Sequence, residues 1–193
     1  MKFALNTVKT TIAAVALAAA STAATAATEF NFNDKIVLGY PSVVTQTKDG
    51  IGLTVKGFSA NGSQAKLDVD FLLGLGVVEY NWIFPELDTR VEGGEYLLFK
   101  FTETVTLDNF LLADLPWGSN NFFINGTKVR TDNRIADISG IGASDTFMFA
   151  SSKDAFRVKS ITVSPVPEPE AIAMMLAGLG VVGLVAARRK KAA

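Results

Sequence analysis

The chain contains no cysteine and no histidine. Without cysteine, a domain of this chain is held together by its core and not by disulfides. The same absences exclude thiol nucleophiles, histidine-based triads and zinc sites of the usual Cys/His kind. The sequence also lacks a G-x-S-x-G elbow, a phosphate-binding loop and a zinc-protease motif. No familiar catalytic motif therefore indicates an enzyme.

The charge of the central segment argues against a nucleic-acid partner. From Thr28 to Pro165, 17 acidic and 12 basic residues give a net charge of −5. Domains that bind nucleic acid normally carry an excess of basic residues. The whole chain has a net charge of only −1, because further basic residues lie near both ends.

The first 27 residues predict a secretory signal peptide. Lys2 and Lys9 make its beginning basic, and Ile12–Ala20 is an apolar stretch too short to span a bilayer. Ala24-Thr25-Ala26 provides a cleavage site of the A-x-A kind. We therefore expect residues 1–27 to be removed and the chain to be exported.

The last residues predict a transmembrane helix with a basic anchor. Residues 171–187 carry no charge, and as a helix they would cover about 25 Å, at the short limit for crossing a hydrocarbon core of about 30 Å. Arg188, Arg189, Lys190 and Lys191 follow directly. Such a basic cluster stays on the cytoplasmic side of a membrane, so the preceding domain is expected outside.

Three prolines at alternate positions precede the apolar run. Pro165, Pro167 and Pro169 are expected to prevent helix formation and sheet pairing, and each favours an extended residue before it. The segment is thus predicted to be an extended, unpaired stretch that an enzyme can bind.

Val166-Pro167-Glu168-Pro169-Glu170, the apolar run and the basic tail together resemble the PEP-CTERM protein-sorting signal of exported bacterial proteins. The resemblance implies that a membrane-embedded, transpeptidase-like enzyme, exosortase, recognises the signal and processes the chain near Pro167, Glu168 and Pro169. It also implies the membrane as a transient partner and a final position at the cell surface or outside the cell. Residues 165–193 are accordingly assigned to the sorting signal and residues 28–164 to the exported domain.

The exported domain is predicted to be all-β, an antiparallel β-sandwich or jelly roll. Short alternating segments are separated by turns such as Lys48-Asp49-Gly50, and Asn125-Gly126 is a strong hairpin signal. Residues 131–144 remain unassigned. The predicted strands are Glu29–Asn33, Ile36–Thr47, Gly52–Ser59, Ala65–Leu72, Val77–Phe84, Glu95–Thr102, Val105–Leu112, Asn120–Ile124, Thr127–Thr131, Thr146–Ala150 and Ala155–Val163.

The order of these segments resembles that of galactose-binding-like jelly rolls. The resemblance lies in Gly74–Val77, Gly94–Phe101, Thr104–Leu107 and Phe156–Val163. It implies a domain of a kind that binds carbohydrate or matrix, although a fold by itself does not define a function.

Three aromatic residues are candidate glycan contacts. Tyr80 and Trp82 lie two apart in a predicted strand and so share one face, and Trp117 lies in a predicted turn. Aromatic side chains stack on sugar rings when exposed, but they also fill the cores of β-sandwiches. Both interpretations remain open for these three residues.

No metal site can be placed from the sequence. Asp68 and Asp70 share a strand face, and Asp34, Asp49 and Asp114 are scattered in loops. We interpret these acids as solvated surface residues, because no loop has the regular acidic spacing of a calcium site. A structural calcium ion remains an open alternative, and no other cofactor is expected.

The sequence thus predicts an exported, non-enzymatic protein with a structural or adhesive role in exopolysaccharide or biofilm. The first alternative is a carbohydrate-binding module that recognises a specific glycan. A second alternative is an exported hydrolase, for which no particular pair of carboxylates can be named.

Overall fold

The computed structural model describes residues 26–33, 39–70, 72–80, 87–88, 90–113, 121–132, 135–151, 155–167 and 169–191. The chain divides into two compact units. The unit Ala27–Val166 contains all the strands that are described, and the other unit contains the described helix. Residues 1–25 of the predicted signal peptide lie outside the described residues.

The domain is built from antiparallel β-strands, as the sequence predicts. Every pairing between the described strands is antiparallel. The elements are β1 (Thr28–Asn31), β2 (Val44–Lys48), β3 (Ile51–Phe58), β4 (Gln64–Asp70), β5 (Gly74–Tyr80), β6 (Leu87–Asp88), β7 (Tyr96–Leu112), β8 (Asn121–Ile124), β9 (Thr127–Asp132), β10 (Ile135–Ala136), β11 (Ser144–Ser151), β12 (Val158–Pro165) and α1 (Pro169–Lys191).

The 17-residue strand β7 organises the sheet. Its first half pairs with β3 on one edge and β11 on the other, and its second half pairs with β12 and β10. The paired strands therefore form two closed rings that share β7. One closed route runs through β3, β4, β5 and β12, and the other runs through β11, β8, β9 and β10. The specific jelly-roll resemblance is not confirmed.

Two strands were expected where β7 is continuous, and that expectation is wrong. The polar stretch Thr102-Glu103-Thr104 interrupts the apolar alternation, and all three residues are exposed. The backbone nevertheless stays extended through them, because neighbouring strands pair with β7 before and after this stretch. A local break in the pattern thus marks an exposed part of one strand and not a turn.

Alternation of apolar and polar residues directs one face of each strand into a phenylalanine-rich core. In β3 the residues Ile51, Leu53, Val55 and Gly57 are buried and the residues between them are half-buried. The ring of Phe149 lies 4.7 Å from Phe99 and 4.5 Å from Phe110, measured between centroids. Further ring contacts join Phe32, Phe122 and Phe156 to this cluster. A second set of ring contacts joins Phe30, Phe101 and Phe147.

The predicted turns form where the chain supplies residues that accept positive φ. Asn125 and Gly126 have φ values of 49° and 81° and join β8 to β9, with Ile124 opposite Thr127. Asp49 and Gly50 have φ values of 51° and 86° and join β2 to β3. Both hairpin turns have positive φ at their two central residues, which fits the right-handed twist of the strands.

An irregularity in β12 brings the apolar residues before and within this strand to the same side of the sheet. Phe156 and Val158 are separated from Ile161 and Val163 by an odd step, yet all four are buried. The pairing of β12 with β7 shifts by one residue between Val158 and Ser160. A bulge of this kind turns the second pair of side chains to the same side as the first.

Candidate functional site

The sorting segment begins while the chain is still part of the sheet. Pro165 at the end of β12 lies opposite Val105 of β7, and the N–H of Val166 donates to the carbonyl oxygen of Thr104 at 2.9 Å. The Ser164 hydroxyl donates to Asp108 Oδ2 at 2.6 Å. The domain is therefore hydrogen-bonded up to Val166.

The prediction that the prolines prevent all regular structure is wrong for two of them. Pro165 is the last residue of β12 and lies beyond the part of that strand that pairs with β1, so it has an edge position, which tolerates proline. Pro169 is the first residue of α1, a position that suits proline because the first N–H groups of a helix have no partner within it. Pro167 is exposed and belongs to neither element.

The Pro-Glu-Pro step thus lies at the junction between strand and helix. Between Val166, the last residue bonded to β7, and Pro169 there are only Pro167 and Glu168. Glu168 lies outside the described residues. Glu170 is exposed in the first turn of α1, where a negative charge interacts favourably with the helix dipole.

The helix α1 has 23 residues and an apolar surface. All side chains from Glu170 to Leu184 are exposed, including Met174, Leu176 and Val181 at 75, 60 and 61%. The last four residues of α1 are Arg188, Arg189, Lys190 and Lys191. Cations at this end of a helix interact favourably with its dipole.

In the described part of the chain, no helix has the length and apolar character needed to cross a membrane. The helix predicted at 171–187 is present as part of α1. Its prediction as a transmembrane span is not confirmed.

The domain thus ends in a Pro-Glu-Pro junction, followed by an apolar helix and a cluster of cations, and these are the parts of a C-terminal sorting signal. Residues 165–190 match the family model described as the PEP-CTERM protein-sorting motif. The chain therefore carries this motif, which implies an exosortase-sorted, exported protein and membrane-associated sorting. Searches of curated proteins and of solved structures found no match to the chain.

The predicted glycan contacts are not brought together by the described structure. Tyr80 is the last residue of β5, opposite Leu87 of β6, and its side chain is outside the described part. Trp82 and Trp117 lie outside the described residues altogether. Their role as glycan contacts stays a prediction.

One cluster of charged residues was missed by the sequence interpretation. Arg157 is 1% exposed, and its Nη2 donates to Asp68 Oδ2 and to the carbonyl oxygen of Gly74, both at 2.7 Å. Asp68 is 19% exposed, so its interpretation as a solvated surface acid is wrong. The only sequence signal is a cation placed between Phe156 and Val158, which are both buried.

Asp70 belongs to the same region but caps a turn. Its Oδ1 accepts hydrogen bonds from the N–H groups of Leu72 and Leu73 at 2.7 and 2.8 Å. Burial alone would raise the pKa of Asp70, but these two bonds and the attraction of Arg157 outweigh it and lower the pKa below its usual value. Asp70 therefore stays charged as part of the structure.

The described acids do not assemble a metal centre. Asp49 accepts a hydrogen bond from the Thr28 hydroxyl at 3.1 Å in the β2–β3 turn, whereas Asp34 and Asp114 lie outside the described residues. Among the residues that are described, no three metal-ligating side chains lie close enough to hold an ion.

A cavity of about 170 Å³ lies beside the edge strand β2. No residue that the sequence nominated as a ligand contact lines it. Its walls are mainly apolar and are formed by Phe32, Pro41, Val43, Val44, Thr45, Gln46 and Val69.

Proposed function

We propose that this chain is an exported, non-enzymatic protein whose β-domain has a structural or adhesive role in an extracellular polysaccharide matrix or biofilm. The observation that supports the proposal most strongly is the PEP-CTERM motif at residues 165–190. The motif follows the last hydrogen-bonded residue of the domain directly, so processing near Pro167 would leave the whole β-domain intact.

The chemistry of the domain supports a non-enzymatic role. Histidine and cysteine are absent from the chain, which removes the commonest general base and the thiol nucleophile. Among the described residues, Arg157 is the most buried charged group, and it is bonded to Asp68 and to a backbone carbonyl within the fold. Its geometry is that of a structural ion pair.

Sorting is tested by the intact mass of the protein in each cell fraction of its host. We expect a species that begins near Thr28 and ends near Pro167, at the cell surface or in the medium. A chain that keeps residues 171–193 and stays in the inner membrane would contradict processing and indicate a permanent anchor.

The basic tail offers a second test of the sorting step. Replacing Arg188, Arg189, Lys190 and Lys191 by glutamine removes the charge that holds this end at the cytoplasmic face, and we expect processing to be impaired. Asp145→Asn, an exposed change in the domain, serves as the control. Unchanged topology and processing in the tail variant would contradict the proposed role of these cations.

The matrix role is tested separately by deleting the protein and measuring the polysaccharide-rich material around the cells. We expect loss of cohesion or of adhesion, together with co-purification of the processed protein with that material. A processed protein that is absent from the matrix would leave the sorting proposal intact and overturn the matrix role.

A further inference from the structure

One outer face of the β-domain combines apolar side chains with a surrounding set of cations. Six neighbouring strands, β4, β3, β7, β11, β8 and β9, contribute to it through antiparallel pairings. We call it the lysine–aromatic face, and its members are Phe58, Tyr96, Leu98, Phe123, Met148, Ala150, Lys56, Lys66, Lys100, Lys128 and Arg130.

The alternation of each strand places these residues away from the core. Leu97 and Phe99 are fully buried, so Tyr96, Leu98 and Lys100 of β7 point to the opposite side. The same pattern holds for β3, β11, β8 and β9, whose intervening residues are buried. The apolar members of the face are all half-buried, so part of each side chain still reaches solvent.

The register aligns the aromatic members in a row across the strands. Phe58 lies opposite Tyr96, Tyr96 opposite Ala150, and Ala150 opposite Phe123. The rings of Phe58 and Tyr96 stack with centroids 4.7 Å apart and planes at 9°. Ala150 leaves a position without a ring between Tyr96 and Phe123, which are two strand spacings, or roughly 10 Å, apart.

Cations border this row. The acid nearest to Lys66 in β4 is Asp68, which lies on the same side of the sheet two residues further on and is paired with Arg157, and β9 ends at Asp132. Lys128 lies opposite Phe123, Lys66, Lys100 and Arg130 are exposed, and Lys56 is half-buried. No acidic residue occurs in segments 54–58, 64–66, 96–100, 121–125, 127–130 or 146–150. The nearest acid along β11 is Asp145, at the irregular beginning of that strand.

The face is positively charged although the domain as a whole is acidic. Five of the domain's 12 basic residues lie on this face, and residues 28–165 have a net charge of −5. Complementary charge both attracts a partner and disfavours one of the same sign. A second copy of the chain would bring two cationic borders together if the same face met itself, which is unfavourable.

We propose that the lysine–aromatic face binds an acidic polysaccharide. The apolar row offers side chains against which the C–H faces of sugar rings pack. The lysines pair with the carboxylates of the polysaccharide. This inference rests on the proposed matrix role and adds to it a ligand class and a surface. The members of the face do not include Tyr80, Trp82 or Trp117, the residues that the sequence nominated.

The charge requirement is tested with polygalacturonate as the probe and the full chain purified in detergent. We expect Lys100→Gln/Lys128→Gln to bind about two- to thirtyfold more weakly, because each of the two exposed charge pairs contributes about 0.2–1 kcal/mol. The variant should also show a smaller dependence of affinity on salt. The matched control Lys48→Gln/Lys159→Gln removes the same charge from β2 and β12, and it should bind as the unmodified protein does.

The aromatic requirement is tested with Phe123→Thr, which keeps a residue suited to a strand. We expect weaker binding with an unchanged salt dependence, because an apolar contact and not a charge is lost. Circular dichroism of each variant establishes that the fold is kept. If Phe123→Thr unfolds the domain, Tyr96→Phe and Tyr96→Leu separate the contribution of the ring from that of the fold.

Several outcomes would overturn the proposal. The proposal fails if the protein does not bind polygalacturonate, or if it binds neutral dextran or duplex DNA as strongly as polygalacturonate. It also fails if Lys48→Gln/Lys159→Gln weakens binding as much as Lys100→Gln/Lys128→Gln does. A dimer that dissociates in Lys100→Gln/Lys128→Gln would instead make the face a contact between two copies. Each of these results leaves the intact mass and location of the processed protein unchanged, so failure here is distinguishable from failure of the proposed sorting.

Discussion

Replacing Asp68 by alanine tests the main buried ion pair of the domain. Asp68 Oδ2 accepts a hydrogen bond from Arg157 Nη2 at 2.7 Å, and the side chains are 19% and 1% exposed. The substitution removes the Asp68 carboxylate from a buried guanidinium. Arg157 keeps its bond to the carbonyl oxygen of Gly74 and the attraction of Asp70, which offset part of the loss.

The expected cost follows from the burial of the two groups. Removing one partner of a buried ion pair costs about 3–5 kcal/mol, and the partial exposure of Asp68 places this case near the lower value. A loss of about 3 kcal/mol in a domain of this size lowers Tm by roughly 10 °C. The reason is the desolvated charge on Arg157 and not a lost apolar contact.

The assay is thermal and urea unfolding followed by circular dichroism, with Asp145→Asn as an exposed control. Asp68→Leu/Arg157→Leu completes the comparison, because apolar replacement of both partners is expected to cost less than Asp68→Ala alone. A change below about 0.5 kcal/mol for Asp68→Ala, the range typical of surface substitutions, would refute the reasoning.

Three further predictions concern backbone geometry and acid stability. Gly74→Ala is expected to destabilise the domain strongly in urea unfolding, because Gly74 has φ +81° and a Cβ would lie 2.2 Å from the Val158 carbonyl oxygen; unchanged stability would contradict this geometry. The lowered pKa of Asp70 means that its stabilising contribution is present above the unfolded value of 3.8 and is lost as pH falls through the folded value. Asp70→Asn should therefore lose less stability on acidification than the unmodified protein, and an identical pH profile would exclude the effect. Asn125→Ala should lower the free energy of unfolding by about 1–2 kcal/mol, because Asn125 has φ 49° and its Oδ1 accepts a hydrogen bond from the Met148 N–H at 2.8 Å. If the Met148 amide exchanged its hydrogen as slowly in this variant as in the unmodified protein, the prediction would be contradicted.

Local patterns were sufficient for strands such as β3, for the two hairpin turns and for the sorting signal. Alternation in segments such as Ile51–Phe58 depends only on residues two apart, and the structure places their apolar members in the core. Asn125-Gly126 specifies its hairpin because both residues tolerate positive φ. The Pro-Glu-Pro step, the apolar run and the four cations are contiguous, so the match at 165–190 agrees with what the sequence predicts.

Long-range pairing decided the features that the sequence did not reveal. Arg157 and Asp68 are 89 residues apart, and no local pattern joins them. The continuity of β7 through Thr102–Thr104 depends on partners such as β3 and β12, which hold the backbone extended where the apolar pattern stops.

The lysine–aromatic face shows the same division between sequence and tertiary structure. Each of its strands shows only ordinary alternation, with one to three members of the face on its outer side. Only the strand order and register bring Phe58, Tyr96, Ala150, Phe123 and Lys128 into one row. The sequence by itself determined which side chains leave the core, because alternation is local. The tertiary structure decided which of them become neighbours, because that depends on pairing between strands distant in the chain.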